Sequence, residues 1–358
     1  MAKDLTQGNL LKNIVTFSLP FLLSYFLQTL YGMADLFIVG QYNGASSISG
    51  VSIGSQFMHM VTVMLVSLSL GSVVMIGRYV GSHNEKQVNT VIGNSITLFS
   101  FLSIILLVGL LCCRTMITTI MNTPIEAIQE TKNYLTICFL GIPFIIAYNV
   151  VSSIFRGLGD SKTPMYFIFI ACLSNIVLDY VFVGFFHMQA TGAALATILS
   201  QAVSCVWVLI FLCSKKTLIH IRKKYLKLNP SVVLPCVALG LAAFIMQASE
   251  SIVTVCFNSS LLRYGGDIAV GAMTILTSVM QFAMLPLQGI AQGAQPISSY
   301  NYGAKNAGRV KKTFRLLLIT CLSYSMLLWA AVQLVPKAFV RIFTSDTALV
   351  NFTAPVLR

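Results

Sequence analysis

Two polar residues stand inside an apolar stretch that extends from about residue 164 to residue 186. Asn175 and Asp179 lie four positions apart, so a helix would place both side chains on one face. An ionised aspartate inside a membrane costs about 2.5–3.5 kcal/mol on insertion scales. Asp35 and Glu250 stand in apolar stretches of the same kind. Because carboxylates at membrane depth usually mark ion or substrate pathways, we expect these groups to carry the function.

The composition is that of an integral membrane protein. Of the 358 residues, 56% are hydrophobic and only 9% are charged, whereas a soluble domain carries about 25% charged residues. Apolar runs longer than roughly 18 residues predict helices, because every backbone polar group must be paired inside the bilayer. We therefore predict an all-α polytopic membrane protein with nine complete spans and the start of a tenth near residue 348. The predicted spans cover residues 14–39, 48–77, 91–112, 133–155, 164–186, 190–213, 232–258, 268–294 and 314–336.

The basic residues predict how the chain is oriented. The formal net charge is +13, and the Lys and Arg side chains concentrate in alternate connecting segments, beginning with the N-terminal one. By the positive-inside rule this pattern predicts a cytoplasmic N-terminus. Orientation accounts for the charge, so no nucleic-acid partner is predicted. We expect a multi-pass protein of the cell's inner (plasma) membrane, in contact with the lipid bilayer and with no obligate protein partner.

The sequence contains an internal repeat with an offset of 222 residues. Gly71 and Gly81 correspond to Gly293 and Gly303, and other weak matches share this offset. The repeat predicts two homologous helical bundles: an N-lobe at residues 1–213, a basic cytoplasmic linker at 214–231 and a C-lobe at 232–358. Six spans precede the linker, so a complete second copy would also have six. We expect the chain to be truncated within the second lobe.

The segment at residues 156–164 combines glycines with polar residues and a proline. Locally it predicts a tight turn, in which glycine permits positive φ and either Asp160 or Ser161 caps the next helix. The whole run, Arg-Gly-Leu-Gly-Asp-Ser-Lys-Thr-Pro, resembles the signature of the multidrug and toxic compound extrusion (MATE) transporters. Residues 5–8, 17–20, 35–40 and 295–304 resemble the same family.

The resemblance implies a site in the N-lobe and a function for it. Family members have two six-helix lobes around a central cavity and export amphipathic compounds in exchange for a cation. Asp35 matches the acidic position of the first helix, and Asn175 and Asp179 match the Asn-x-x-x-Asp of the fifth. Thr197 stands where a hydroxyl joins this cluster. Two carboxylates with amide and hydroxyl oxygens would hold a proton or Na⁺, and the residues leave the choice between them open.

A second group of candidates lies in the predicted C-lobe. The resemblance places Glu250 in a cation or substrate site, with Gln247 three residues earlier on the same helix face. Its further partners are expected beyond Arg358. Met280 and Met284 have the flexible apolar side chains that suit varied amphipathic ligands, although contact with lipid explains them as well.

Other functions fit the residues less well. A flippase for lipid-linked precursors would need a cationic cavity, whereas the membrane-depth candidates are acidic. An intramembrane lipid-modifying enzyme would need a nucleophile or a metal cluster, and a passive scaffold leaves the buried acids unexplained. The sequence has no G-x-x-x-x-G-K-[ST] loop for ATP. We therefore predict a secondary-active multidrug antiporter, not an enzyme, that needs no cofactor beyond its coupling ion, H⁺ or Na⁺.

Overall fold

The computed structural model describes residues 5–121, 123–213, 223–344 and 346–357. These ranges are mostly helical and contain no strand, which confirms the all-α membrane fold. The helices are α1 (Leu10–Tyr42), α2 (Ala45–Gly81), α3 (Glu85–Ile120), α4 (Ile128–Leu140), α5 (Ile142–Gly157), α6 (Lys162–Asp179), α7 (Gln189–Cys213), α8 (Pro230–Gly303), α9 (Ala307–Leu334), α10 (Pro336–Arg341) and α11 (Thr347–Leu357). A π-helix (Tyr180–Phe185) continues α6, and 3-10 helices (Ile125–Ala127 and Lys223–Tyr225) precede α4 and α8.

The helix count agrees with the prediction of nine complete spans. Eight segments of the described chain are long and apolar enough to cross a membrane, and α4 with α5 forms a ninth, bent span. Helix α11 begins at Thr347, where the start of a tenth span was expected. Most helices extend beyond the predicted apolar limits, because backbone hydrogen bonding continues into the polar residues at the membrane surface.

The fourth predicted span, residues 133–155, is formed by two helices that meet at a bend. Helices α4 and α5 meet at Gly141 with a bend of 52°. Pro143 lies in the first turn of α5 and has no N–H to continue the hydrogen-bond ladder of α4. The side chain of Ile198 occupies the space that a Cβ on Gly141 would need, so α7 packs into the bend.

The connection predicted between spans seven and eight, at residues 259–267, contains the break between two helices. Helix α8 extends from Pro230 to Gly303 and is broken within this range at Gly266, where φ is +62°. Glycine adopts this conformation without the strain that a side chain would add. The break lies 222 residues after Gly44, the residue that precedes α2. The two halves of α8 therefore meet where the repeat places the turn between α1 and α2.

The turn between α2 and α3 recurs between α8 and α9 at the same offset. Asn84 and Asn306 cap α3 and α9, and each Oδ1 accepts a hydrogen bond of 3.2 Å from the backbone N–H three residues later. The residues before the caps, His83 and Lys305, have φ values of 55° and 56°. Identical local geometry at one offset fits a duplicated bundle, and the limits of the two lobes stay a prediction.

Helices α2 and α8 make a reciprocal contact at their C-terminal ends. A Cβ on Gly81 would overlap the carbonyl oxygen of Tyr300, and a Cβ on Gly303 would overlap the carbonyl oxygen of Arg78. Arg78 and Tyr300 are themselves 222 residues apart, so the contact follows the repeat. Glycine is required at both positions because any side chain would separate the two backbones.

The segment before α1 lies over this contact. The Asn301 side chain donates a hydrogen bond of 3.1 Å to the backbone carbonyl of Leu5, whose side chain is fully buried. The guanidinium of Arg309 donates to the carbonyls of Gly8 and Gln7 at 3.0 and 3.2 Å. The N-terminal segment is therefore attached to α8 and α9, helices that belong to the predicted C-lobe.

The segment before α8 is attached in the opposite direction, to α3 of the predicted N-lobe. Asn94 donates to the carbonyl of Tyr225 at 3.2 Å, and Thr97 donates to the carbonyl of Leu226 at 2.9 Å. This segment is the end of the predicted basic linker. Residues 214–222, which include its first lysines, lie outside the described residues, as does Arg358.

Candidate functional site

The turn before α6 determines where the helix that carries Asn175 and Asp179 begins. Oδ1 of Asp160 accepts hydrogen bonds of 3.0 Å from the backbone N–H groups of Lys162 and Thr163. Gly159 has φ of +81°, as the tight turn requires. Of the two capping residues that the sequence left open, Asp160 is the one that bonds to the helix.

Asn175 and Asp179 lie on one buried face at the end of α6. Their exposed fractions are 1% and 0%. The α-helical hydrogen bonding ends at Asp179, and a π-helix follows over Tyr180–Phe185. The span predicted over residues 164–186 is present as one continuous helical segment, Lys162–Phe185, and its turns directly after the aspartate are wider than α-helical turns. Wide turns of this kind are frequent at functional sites.

Three helices bring the predicted N-lobe residues together. Asp35 comes from α1 and is 3% exposed. The side chains of Asn175 and Asp179 face its carboxylate. The hydroxyl of Thr197, from α7, donates to Oδ2 of Asp35 over 3.4 Å, which is long for a hydrogen bond. All four residues that the sequence assigned to this site thus form one cluster, the acidic cluster.

The acidic cluster contains polar atoms that no protein group satisfies. Oδ1 of Asp35, both carboxylate oxygens of Asp179 and both amide atoms of Asn175 are buried without a hydrogen-bond partner among the described residues. A buried polar atom that stays unpaired destabilises a protein by about 1–3 kcal/mol, and two ionised carboxylates at this depth repel each other. A bound proton or cation would remove both penalties.

The donor set indicates which ions fit the acidic cluster. Carboxylate, amide and hydroxyl oxygens are hard ligands that suit Na⁺ or a proton better than a soft metal. The described part of the chain holds no group of three or more His, Cys, Asp or Glu side chains that could bind a metal ion. An ion that fits these oxygens would be hard and monovalent, and the oxygens do not discriminate between H⁺ and Na⁺.

Two tyrosines that sequence reasoning missed lie beside the acidic cluster. Tyr31 and Tyr134 are both close enough to Asp35 to experience its charge. Tyr31 precedes Asp35 by four positions, so helical spacing was a usable signal. Tyr134 comes from α4, and Gly54 of α2 leaves room for its ring. No local pattern identifies it, because only the packing of separate helices brings it to this place.

The predicted C-lobe residues lie elsewhere, on α8. Glu250 is exposed, and its Oε2 accepts a hydrogen bond of 2.9 Å from Nε2 of Gln247, as their spacing predicted. Met280 and Met284 are 59% and 40% exposed. The structure does not bring any of the four into the acidic cluster, and their roles stay predictions.

Sequence comparison relates the chain to known transporters. It matches the MatE family over residues 20–181 and 242–358. It is 24% identical over 347 residues to the multidrug export protein MepA of Staphylococcus aureus, covering 97% of this chain and 76% of that protein. It is 28% identical over 359 residues to the probable multidrug resistance protein YpnP of Bacillus subtilis, covering 100% of this chain and 80% of that protein.

Solved structures show the same fold. An outward-facing multidrug resistance MATE transporter of the MOP superfamily superimposes with a TM-score of 0.90 at 23% identity, covering 99% of this chain and 79% of that chain. A MATE structure in the bent conformation superimposes with a TM-score of 0.91 at 24% identity, covering 99% of this chain and 78% of that chain. The family match includes α6 and most of α1 and α8, and it contains Asp35, Asn175 and Asp179. The chain therefore belongs to the MatE family and is a membrane transporter rather than an enzyme.

Proposed function

We propose that this transporter exports amphipathic, mostly cationic compounds in exchange for H⁺ or Na⁺. The observation that carries the proposal is the acidic cluster, in which Oδ1 of Asp35 and both carboxylate oxygens of Asp179 are buried without a hydrogen-bond partner among the described residues. The relatives named as multidrug export or resistance proteins support the substrate class. An acidic cluster also favours a cation over the pyrophosphate of a lipid-linked precursor. We therefore propose a flippase for such precursors only as the second candidate function.

Burial of the acidic cluster suggests how the ion is coupled to export. With exposed fractions between 0% and 3%, Asp35, Asn175 and Asp179 cannot exchange an ion with water in this conformation. Binding and release therefore require movement of α1, α6 or α7, the helices that carry the site. An ion that binds one conformation more tightly shifts the protein towards it, and a substrate that prefers the other conformation competes with the ion.

We further propose the arrangement of the protein in the membrane. Residues 1–213 and 232–358 form two lobes with the substrate path between them, and the N-terminus faces the cytoplasm of the plasma membrane. Glu250 with Gln247 provides a second cation or substrate contact in the C-lobe. Na⁺, where it is the coupling ion, is bound by Asp35, Asn175 and Asp179.

Ethidium efflux from cells tests the proposal. Cells that lack their own exporters and express the full chain are loaded with ethidium and then energised, and fluorescence reports the dye that remains. We expect efflux faster than in cells with an empty vector, and loss of the difference when the proton and sodium gradients are both dissipated. Equal efflux in the two cell lines, or efflux that persists without either gradient, contradicts the proposal.

We expect Thr197→Val to weaken the coupling ion's binding without abolishing transport. The substitution keeps the side-chain volume but removes the hydroxyl that faces Asp35. A hydrogen bond to a charged group contributes about 1.5–3 kcal/mol. Because the Thr197–Asp35 distance is long, we expect a contribution at or below the lower end of this range. Its loss would weaken the affinity for the coupling ion by about tenfold or less. The ion concentration for half-maximal efflux measures this change. Thr197→Ser retains the hydroxyl, and an equal shift in both variants would show that the hydroxyl is not involved.

A further inference from the structure

A row of polar side chains follows one face of α2 within its membrane-spanning segment. Ser52, Gln56 and His59 are spaced by four and three positions, and all are exposed. We call this row the α2 stripe. Lipid hydrocarbon cannot pair amide, hydroxyl or imidazole groups, so polar side chains at this depth line a water-filled cavity or the interior of a helix bundle.

The same row recurs on α8 at the offset of the repeat. Thr274, Ser278 and Gln281 lie 222 residues after the three members of the α2 stripe, and they are polar as well. Thr274 and Gln281 are exposed, and Ser278 is partly exposed. We call this row the α8 stripe. Polarity is thus kept at all three positions, although the residue types differ.

Helical register directs both stripes towards the space between α2 and α8. Near the C-terminal ends of these helices, a Cβ on Gly77 would lie 2.9 Å from Cβ of Ser299. His59 precedes Gly77 by 18 positions, and Gln281 precedes Ser299 by the same number. Eighteen residues make five full turns, or about 27 Å of helix, so two side chains that are 18 positions apart point in the same direction from the helix axis. The faces that touch at one end therefore carry His59 and Gln281 at the other, where both are exposed.

The shared register of the two stripes indicates a cleft between the helices. His59 and Gln281 are exposed on the faces that α2 and α8 turn towards each other, whereas Gly77 and Ser299, five turns further along the same faces, are in contact. The α2 and α8 stripes thus line a cleft that is closed at one end by the contact of Gly77 with Ser299.

We propose that the α2 and α8 stripes are the substrate-selecting walls of the transporter, and that they select by hydrogen bonding rather than by charge. The inference rests on the proposed export function and specifies its substrates. The amides of Gln56 and Gln281 are uncharged groups that donate and accept hydrogen bonds. The hydroxyl of Ser278 donates to the carbonyl of Thr274 at 2.7 Å and leaves its oxygen as an acceptor, and the imidazole of His59 adds a further hydrogen-bonding group. The substrates that fit carry amino or hydroxyl groups on a ring system.

Apolar side chains beside the α8 stripe complete the binding surface. Met284 and Leu285 follow Gln281 by three and four positions, on the same helix face; Met284 is 40% exposed and Leu285 is partly exposed. Ligand sites commonly combine apolar and aromatic surface with a few polar groups that set orientation. Ethidium, a planar cation with two amino groups, suits such walls. Tetraphenylphosphonium carries the same charge without a hydrogen-bonding group and serves as the matched probe.

Thiol accessibility tests whether the stripes face water. The nine native cysteines are replaced by serine in the full chain, and His59→Cys or Gln281→Cys is added. In reconstituted vesicles with a membrane-impermeant thiol reagent on both sides, we expect each to react at least tenfold faster than Ile104→Cys. Ile104 of α3 is an apolar side chain that is 60% exposed. Reaction of both stripe cysteines as slow as that of Ile104→Cys would overturn the proposal.

Protection by ligands tests the selection. We expect saturating ethidium to slow labelling of Gln281→Cys about fivefold, and tetraphenylphosphonium to protect it less. In the protein with native cysteines, Gln56→Leu should reduce ethidium export about fivefold, the effect of one lost hydrogen bond, and change tetraphenylphosphonium export less than twofold. Absence of protection, or equal effects on both cations, overturns the proposal. Fast labelling with ethidium protection in a protein that exports nothing leaves the selecting walls intact and refutes the export function instead.

Discussion

We expect Asp179→Asn to reduce gradient-driven ethidium efflux to the level of cells without the transporter, and Asp35→Asn to do the same. No other conservative substitution is expected to have so large an effect. Asparagine keeps the shape of the side chain but neither carries a negative charge nor takes up a proton. Removal of one partner from a buried charge interaction typically costs about 2–5 kcal/mol, which corresponds to at least thirtyfold in ion affinity. Initial efflux rates at matched protein levels measure the loss.

Stability should change in the opposite direction from transport. The carboxylate oxygens of Asp179 have no protein partner among the described residues, so its neutral replacement removes a buried charge that only a bound ion or proton offsets. We expect both Asn variants to melt in detergent at or above the temperature of the unchanged protein. Glu126→Gln, at an exposed position before α4, is the matched control for loss of one carboxylate. Normal pumping by both Asn variants would show that the acidic cluster does not couple the ion.

Gly303→Ala destabilises the protein, and Gly81→Ala does so as well. The new Cβ would overlap a backbone carbonyl of Arg78 or of Tyr300, and a backbone cannot rotate aside as a side chain can. Overpacking of this kind costs about 1–3 kcal/mol. We expect each substitution to lower the melting temperature in detergent by several degrees. We also expect slower efflux, because the ends of α2 and α8 no longer close against each other.

Two glycines elsewhere in membrane-spanning helices provide the control. Nothing lies within 4 Å of a Cβ on Gly32 or Gly109. Alanine there avoids the entropic penalty of glycine in a helix, so Gly32→Ala and Gly109→Ala should leave the melting temperature unchanged or raise it slightly. Melting temperatures of Gly81→Ala and Gly303→Ala that equal those of the controls would contradict the close contact between α2 and α8.

The sequence predicted the helices well because each span depends on a long apolar run. The break at Gly266 lies inside the connection expected between spans seven and eight. Hydropathy does not register where the bend at Gly141 lies, because both sides of the bend are apolar. The π-helix has no recognisable residue signature, although it begins directly after Asp179, a residue of the candidate site.

The candidate site was predictable in part, for two different reasons. Asn175 and Asp179 are anomalous within an apolar run, and their spacing alone places them on one face. Their meeting with Asp35 and Thr197 came from resemblance to a family, since no local pattern relates residues on α1, α6 and α7. Neither approach identified Tyr134, because it reaches the acidic cluster only through the packing of α4 against α2 and α7.

Ion-driven transport in reconstituted vesicles tests the central claim most directly. The purified full chain is placed in vesicles, and an inward gradient of H⁺ or of Na⁺ is imposed alone while ethidium movement is recorded. The acidic cluster as the coupling site predicts that at least one gradient drives transport by the unchanged protein and that neither drives Asp179→Asn. Transport by Asp179→Asn at the unchanged rate, or a failure of both gradients to move ethidium through the unchanged protein, would contradict it.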